Sequence, residues 1–304
     1  MSWKEFFSYV IPLLLIVLLF FYWVLPLETI DFGASSSRNS NFTLNNYSNK
    51  SMQFYDNMRY PSKDISYNIQ GCTLKKKDDM ERSFEIIENL TVLNFYPVTS
   101  DEEISVTCDE KARFEGDLFI AGEGGPTKIT QSENFNVIHK GGILLIRESK
   151  CENPNVGIHE LLHALGFDHS DNPNNILYPI SKCSQEIGQD TIDMINWLYS
   201  FPSLPDLMLE NVSATMEGRY LDLNLTVRNA GLNDAPEAKI EVYADGKLVQ
   251  EINFDLLDIG NGRRITMNNI FILQKSINEL RFLIKADFEE LEKENNEVIL
   301  DYNN

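Results

Sequence analysis

The 304-residue sequence is short of positive charge and of cysteine, and each shortage argues against a class of partner or site. Lysine and arginine total 26 against 46 aspartate and glutamate residues, a net charge of −20 that repels a phosphate backbone and argues against nucleic acid as a partner. The four cysteines contain no Cys-x-x-Cys pair, which favours two disulfides over a thiolate metal site. Because hydrophobic residues make up 43% of the chain, a wholly disordered protein is excluded.

The N-terminus carries an uncharged apolar run from Phe6 to Leu27. At about 1.5 Å per residue, such a run can cross a hydrocarbon core about 30 Å thick, so residues 1–27 are predicted to be a transmembrane anchor. A cleaved signal peptide is the alternative, although its apolar region is usually only about 7–15 residues. Lys4 before the run and acidic residues after it favour a single-pass protein with a cytoplasmic N-terminus and extracytoplasmic domains.

The rest of the chain divides where its composition changes. Residues 28–51 are rich in serine and asparagine, cannot form a core and are predicted to be a flexible stalk. Three of the six Asn-x-Ser/Thr sequons begin in this stretch, which supports an extracytoplasmic location. Two prolines mark residues 201–205 as a linker, which leaves folded domains at 52–200 and 206–304.

The two domains differ in hydrophobic periodicity. The first mixes short strand patterns with helical spacing, as at Met80, Phe84 and Ile87, and is predicted to be an α+β domain. In the second, apolar and polar residues alternate from Leu221 to Arg228, and Asp245-Gly246 is typical of a hairpin turn. Several such strands predict an antiparallel, all-β sandwich of the immunoglobulin-like kind.

Three of the four histidines lie within eleven residues, from His159 to His169. On a helix, His159 and His163 project from one face, so both imidazoles can reach one metal ion. Gly166 can take the left-handed conformation that ends a helix and brings His169 back to the same point. Three imidazoles with an open fourth position describe a catalytic site for one Zn²⁺ ion.

Glu160 directly follows the first of these histidines and is offset from their face of the helix. We expect it to act as a general base toward a zinc-bound water that attacks a carbonyl carbon, and then to protonate the leaving amine. An amphipathic core helix with incidental histidines is the alternative. Five specified residues at fixed spacing arise rarely by chance, which favours the zinc interpretation.

The motif His159, Glu160, His163, Gly166 and His169 resembles the zinc-binding signature of the metzincin metalloproteases and, among them, of the matrixins. The resemblance implies a zincin-like catalytic domain, in which an α/β sheet carries the active-site helix. One departure is that no cysteine switch is visible, since the residues around Cys72 do not match that motif.

The resemblance extends to residues 175–180, which are similar to the matrixin Met-turn. Leu177 stands where those proteins have methionine, and its similar volume is expected to preserve an apolar floor beneath the metal. The resemblance further implies that Tyr178, Pro179 and Ile180 shape the pocket for the substrate residue after the cleaved bond. Substrates are then expected to be proteins or extended peptides.

Four cysteines allow three disulfide connectivities, and the sequence does not choose among them. Cys151 and Cys183 flank the zinc motif, and a bridge between them would clamp the active-site segment. Cys72 would then pair with Cys108. This is the preferred pairing, and free buried thiols are the alternative.

The C-terminal domain carries weaker signals. Asn229-Ala230-Gly231 and the segment Glu294–Glu297 make it similar to a CARDB module, an adhesion-related immunoglobulin-like domain, which implies a cell-surface partner. The acidic run Asp287–Glu294 is considered as a calcium site, but it lacks the ligand ladder of an EF-hand and is interpreted as a solvated loop. In the first domain, Gly122–Thr127 is interpreted as a plain turn, with a place at the rim of the substrate cleft as the alternative.

The sequence as a whole predicts a membrane-anchored, extracytoplasmic zinc endopeptidase with a C-terminal β-sandwich. One alternative is a surface adhesion protein with a vestigial zinc site, against which the intact Glu160 counts. The other is a zinc hydrolase that acts on a non-peptide amide.

Overall fold

The computed structural model describes residues 3–24, 29–37, 52–111, 113–115, 118–148, 150–274 and 276–302. Within these ranges the α-helices are α1 Trp3–Val24, α2 Leu74–Leu90, α3 Asn155–Ala164 and α4 Gln189–Leu198. The strands are β1 Thr29–Ser37, β2 Met58–Arg59, β3 Asp64–Gln70, β4 Asn94–Pro97, β5 Ile104–Cys108, β6 Arg113–Glu115, β7 Leu118–Ile120, β8 Gly122–Gln131, β9 Asn136–Leu145, β10 Leu207–Glu217, β11 Tyr220–Asn229, β12 Ala238–Ala244, β13 Lys247–Phe254, β14 Gly262–Phe271, β15 Glu279–Lys285 and β16 Glu297–Tyr302.

The predicted transmembrane anchor at residues 1–27 is wrong. Crossing a bilayer takes about 20 consecutive, predominantly apolar residues in one helix. Across the described residues, no helix combines the length and the apolar character that crossing requires. The prediction of a single-pass membrane protein with a cytoplasmic N-terminus, and of the membrane as a partner through this helix, is overturned with it.

The first domain is built on a mixed sheet. Strands β2, β9, β5, β3 and β4 are neighbours in that order and run parallel to one another. β8 is antiparallel to β9 and pairs with no other strand in the described sheet, so it forms an edge. The segment Gly122–Thr127, predicted to be a turn, is therefore the first half of this edge strand.

Three helices cover the sheet of the first domain. The α2 helix begins after Thr73, whose hydroxyl accepts a hydrogen bond from the backbone N–H of Lys76. Its predicted apolar face, Met80, Phe84 and Ile87, is buried in the core. The α3 helix packs against α2, β8 and β9 and is buried along nearly its whole length. A helix enclosed on all sides is held in a fixed position, which matters because α3 carries the first two histidines.

The second domain is the predicted antiparallel sandwich. Its strands follow the order β13-β12-β15-β16-β1-β10-β11-β14, and every neighbouring pair is antiparallel. The inward side chains of β11 are all buried, as their alternation predicts: Leu221, Leu223, Leu225 and Val227. These residues contribute to one apolar core shared by the strands on both sides.

Strand β1 comes from the segment predicted to be a flexible stalk. Residues Thr29–Ser37 pair with β10 on one side and with β16 on the other, and the remaining predicted stalk residues lie outside the described part of the chain. Ile30 and Phe32 are buried in the sandwich core. These two inward apolar side chains account for the strand, since alternate burial stabilises pairing even next to a polar segment.

The two domains meet through a small apolar cluster. Phe135 and Val137 of the first domain pack with Leu232 and Ile259 of the second. The backbone N–H of Leu291, which also packs there, donates to the carbonyl oxygen of Pro205 in the linker at 3.0 Å. A second link is the hydroxyl of Ser132, which donates to the carbonyl oxygen of Ala230.

Candidate metal and catalytic site

The first two histidines are held in one orientation by backbone carbonyl groups. Nδ1 of His159 lies 2.6 Å from the carbonyl oxygen of Ile176, and Nδ1 of His163 lies 2.7 Å from that of Phe167. Because a carbonyl only accepts hydrogen bonds, each Nδ1 carries the proton and each Nε2 presents a lone pair. Both Nε2 atoms face one point, where they lie 2.9 Å apart.

His169 reaches the same point because the chain reverses at Gly166. This glycine has φ of +96°, a conformation that disfavours side chains, and its N–H donates to the carbonyl oxygen of His163 at 2.8 Å. A Cβ there would lie 2.8 Å from Cβ of Met58, so packing also requires glycine. Beyond the turn, Nε2 of His169 lies 3.2 Å from Nε2 of His163.

The donor set fits a zinc ion. The three ligand nitrogens all lie within 4.8 Å of one another. Tetrahedral zinc with bonds of 2.0–2.1 Å places its ligand nitrogens about 3.3 Å apart, close to the separations found here. Burial lowers the pKa of His159 to about 4 and also lowers the pKa of His163. Both imidazoles are therefore neutral near pH 7, the state in which they bind metals.

Glu160 follows His159 on α3, its side chain packs against β8, and it is only 5% exposed. Burial, with a smaller contribution from the charge of Glu123, raises its pKa to about 8. A cation among the three imidazoles would oppose this shift, because it favours the carboxylate. The role of Glu160 as a proton acceptor at the metal-binding point stays a prediction.

Two glycines of β8 allow the strand to approach this carboxyl group. A Cβ on Gly122 would lie 2.7–2.9 Å from three side-chain atoms of Glu160, and a Cβ on Gly124 would lie 2.3 Å from its carbonyl oxygen. Sequence reasoning missed this role. The alternating glycines at 122 and 124 are the available signal, since alternate strand residues face the same side.

The predicted Met-turn contacts the histidine segment through Ile176 and Leu177. Leu177 is 3% exposed and belongs to the core of the first domain, while its carbonyl oxygen accepts from the N–H of Ser170 at 3.0 Å. Tyr178 is half-buried, and Pro179 and Ile180 are exposed on the outer side of the turn. The role of these residues in a substrate pocket stays a prediction.

Asn175 is a further residue of this turn that sequence reasoning did not single out. Its Oδ1 accepts from the N–H of Leu177 at 2.8 Å, and its backbone N–H donates to the carbonyl oxygen of Asn172. An Asx-type turn of this kind fixes the backbone that follows it. It therefore sets the position of the Ile176 carbonyl group that orients His159.

Both disulfides are present with the preferred pairing, Cys72–Cys108 and Cys151–Cys183. The second joins the segment before α3 to the segment after the turn. Alongside it, Nδ2 of Asn155 donates to the carbonyl oxygen of Lys182 at 2.8 Å. The two flanks of the histidine segment are therefore tied together.

Comparison with known proteins identifies both domains. Residues 59–200 match the family model described as Matrixin, and residues 204–299 match the one described as CARDB. The chain thus contains a region that matches the matrixin family, followed by a C-terminal region that matches the CARDB family.

The similar proteins are distant and longer. Matrix metalloproteinase-16 of Rattus norvegicus is 27% identical over 177 residues, which cover 47% of this chain and 28% of that protein. Macrophage metalloelastase of Oryctolagus cuniculus is 29% identical over 161 residues, which cover 45% of this chain and 33% of that protein. The chain therefore spans about a third of the length of these relatives.

Among solved structures, a CARDB domain from Pyrococcus furiosus, crystallised in complex with di-metal ions, is similar at a TM-score of 0.28. It is 21% identical and the match covers 32% of this chain and 86% of that one. The matrixin match and the metalloproteinase relatives support a metalloprotease.

Proposed function

We propose that this protein is a zinc-dependent endopeptidase whose metal ligands are His159, His163 and His169 and whose general base is Glu160. The observation that carries the proposal is the convergence of three Nε2 atoms; it is supported by the buried carboxyl group of Glu160, the residue next to His159 on the same helix. When bound, zinc supplies a Lewis acid and an acidified water with a pKa near 7. The two disulfides favour an oxidising compartment as the place of action.

The chain's own groups define what happens around that ion. The carbonyl groups of Ile176 and Phe167 hold the imidazole rings in their ligating tautomer. Glu160 takes a proton from the attacking water and passes it to the nitrogen of the leaving amine. Because this carboxyl group is buried, its proton does not exchange freely with bulk solvent during the step.

The substrate class follows from the edge strand. β8 pairs on one side with β9 in the described sheet, so its other edge offers backbone groups to an extended peptide. Pro126 lies within this strand and donates no hydrogen bond, which is tolerated at an edge. Tyr178, Pro179 and Ile180 are proposed to border the pocket for the residue after the cleaved bond.

The test compares zinc content and cleavage in the full chain and in two variants. Glu160→Gln should retain one zinc ion per chain and lose about 10²–10⁴-fold in kcat/KM on a peptide library, the usual contribution of a general base. The matched control is Glu85→Gln, an exposed position on α2 that carries the same change of charge. It should behave as the wild type.

Three results would count against the proposal. A wild-type chain that binds no zinc would lack the metal centre on which the proposal rests. Zinc bound at unit stoichiometry with no cleavage of any library peptide would instead favour the binding role of a vestigial site. Equal cleavage by Glu160→Gln and wild type would remove Glu160 from the mechanism.

A further inference from the structure

A second cluster of oxygen-bearing side chains lies where the linker enters the sandwich. Asp206, Glu290, Asn295 and Asn296 are each 9% exposed or less. The acidic run from which Glu290 comes was expected to be a solvated loop, and for this residue that expectation is wrong. Burial of carboxylates without a compensating cation is costly, so the cluster needs an explanation.

Hydrogen bonds join these residues in two pairs. Nδ2 of Asn295 donates to Oδ1 of Asp206 at 3.0 Å, and Nδ2 of Asn296 donates to Oε1 of Glu290 at 2.8 Å. The backbone N–H of Leu207, the neighbour of Asp206, donates to the other oxygen of Glu290, also at 2.8 Å. Leu207 therefore connects the two pairs, which come from distant parts of the chain.

The amide oxygens in this space are unsatisfied. Oδ1 of Asn295 and Oδ1 of Asn296 are buried and accept no hydrogen bond from any described group. Buried polar side-chain atoms nearly always have a partner, and each exception calls for one, such as an ion. Two such oxygens on neighbouring residues, whose amide nitrogens bond two buried carboxyl groups, point to a shared partner that prefers oxygen.

The negative charge of the cluster also favours a cation as this partner. Asp206 and Glu290 are two carboxyl groups that are only 2% and 9% exposed. Among the ion pairs of the described residues, none includes Asp206 or Glu290, so the negative charge is not neutralised by a direct partner.

We propose that Asp206, Glu290, Asn295 and Asn296 form a calcium site. Carboxylate and amide oxygens are the ligands that Ca²⁺ prefers, and water completes its six to eight positions. The cluster offers no imidazole or thiolate, which distinguishes it from the histidine site. This inference does not depend on the proposed protease function, because all four residues belong to the C-terminal domain.

The position of the site gives calcium a structural role between the domains. Asp206 follows the linker directly, and Leu291, in the same loop as Glu290, packs near Phe135 of the first domain. Calcium would therefore hold the linker and this loop together at the domain junction.

The competing explanation is a cluster in which Asp206 is protonated and the two amides simply donate to the carboxyl groups. It requires no ion. The two explanations differ in a measurable way, because only the first makes the thermal stability of the protein depend on calcium.

The experiment uses the full chain, loaded with zinc and freed of calcium, above pH 7. Isothermal titration with CaCl₂ measures affinity, and the thermal midpoint is recorded with and without about 1 mM calcium, near the Kd of extracellular calcium modules. Glu290→Gln removes a ligand charge and keeps the side-chain size. Glu289→Gln, the neighbouring exposed residue, is the matched control.

Wild type and Glu289→Gln should bind calcium with the same affinity and show an increased thermal midpoint. Glu290→Gln should bind at least about tenfold more weakly, since ligand charge sets affinity. Asn295→Asp is a second variant that adds charge at a ligand oxygen, and it should bind more tightly than wild type. The proposal is overturned if wild type shows no calcium-dependent increase, or if Glu290→Gln and Glu289→Gln respond alike.

Discussion

The close approach of β8 to α3 leads to a specific prediction for Gly124. A Cβ at this position would lie 2.3 Å from the carbonyl oxygen of Glu160 and 2.9 Å from its Cα. These are backbone atoms of a buried helix, so no side chain can rotate away to make room. Gly124→Ala therefore forces the strand and the helix apart by about 1 Å to restore ordinary contact.

The size of the effect follows from this displacement. Overpacking of a well-packed core usually costs about 1–3 kcal/mol, and each kcal/mol lowers the thermal midpoint of a domain of this size by about 2–4 °C. We expect Gly124→Ala to unfold about 2–12 °C below wild type in a scan followed by near-UV circular dichroism. Because the same shift moves Glu160, kcat/KM on a cleaved peptide should fall by up to about 10²-fold.

Gly125 provides the control on the same strand. A Cβ there has no atom within 4 Å, and the backbone conformation is one that other residues adopt. Gly125→Ala should therefore change stability by no more than about 0.5 kcal/mol. The reasoning is refuted if Gly124→Ala and Gly125→Ala have the same thermal midpoint.

Three further predictions concern the two disulfides, Asp206 and strand β1. Replacing Cys151 and Cys183 by serine removes a disulfide with a sequence separation of 32, and should lower the free energy of unfolding by about 3–4 kcal/mol and also weaken zinc binding. Replacing Cys72 and Cys108, with a separation of 36, should lower stability by a similar amount and leave the zinc content unchanged. Folding raises the pKa of Asp206 from 3.8 to about 7. In calcium-free protein its contribution to the free energy of unfolding is therefore present below about pH 4 and is lost as the pH rises to about 7. Asp206→Asn should flatten that part of the stability profile measured by urea titration. Phe32→Ala, at a residue 6% exposed, should cost about 3–5 kcal/mol, whereas exposed Asp31→Ala should cost little; equal urea midpoints would show that β1 does not stabilise the sandwich.

The site was predictable where its geometry is local. The spacing of His159 and His163 fixes their shared face on any helix, and Gly166 three residues later has the conformation expected of it. Cys151 and Cys183 flank the same short segment. The carbonyl groups that orient the imidazoles were not predictable, because backbone acceptors leave no mark on residue identity.

The fold was predictable where the hydrophobic periodicity of the sequence indicates which side chains are buried. The alternation from Leu221 to Arg228 gave the strand β11, and the helical spacing around Phe84 gave α2. The edge strand β8 was missed because glycine, which marks close approach there, is more often the sign of a turn. Residues Thr29–Ser37 were missed because only Ile30 and Phe32 signal burial within a polar stretch.

The calcium cluster shows why composition alone misleads in an acidic run. Glu289 and Glu290 are adjacent and identical, yet the first is exposed and the second is buried against a residue that arrives from far away in the chain. The amide of Asn295 meets Asp206 across a sequence separation of 89 residues, a distance at which spacing carries no geometric information. Whether a carboxylate is solvated or is a ligand is decided by the strand that packs beside it. An acidic run in a sandwich loop is therefore best judged residue by residue, by which oxygens the fold deprives of water.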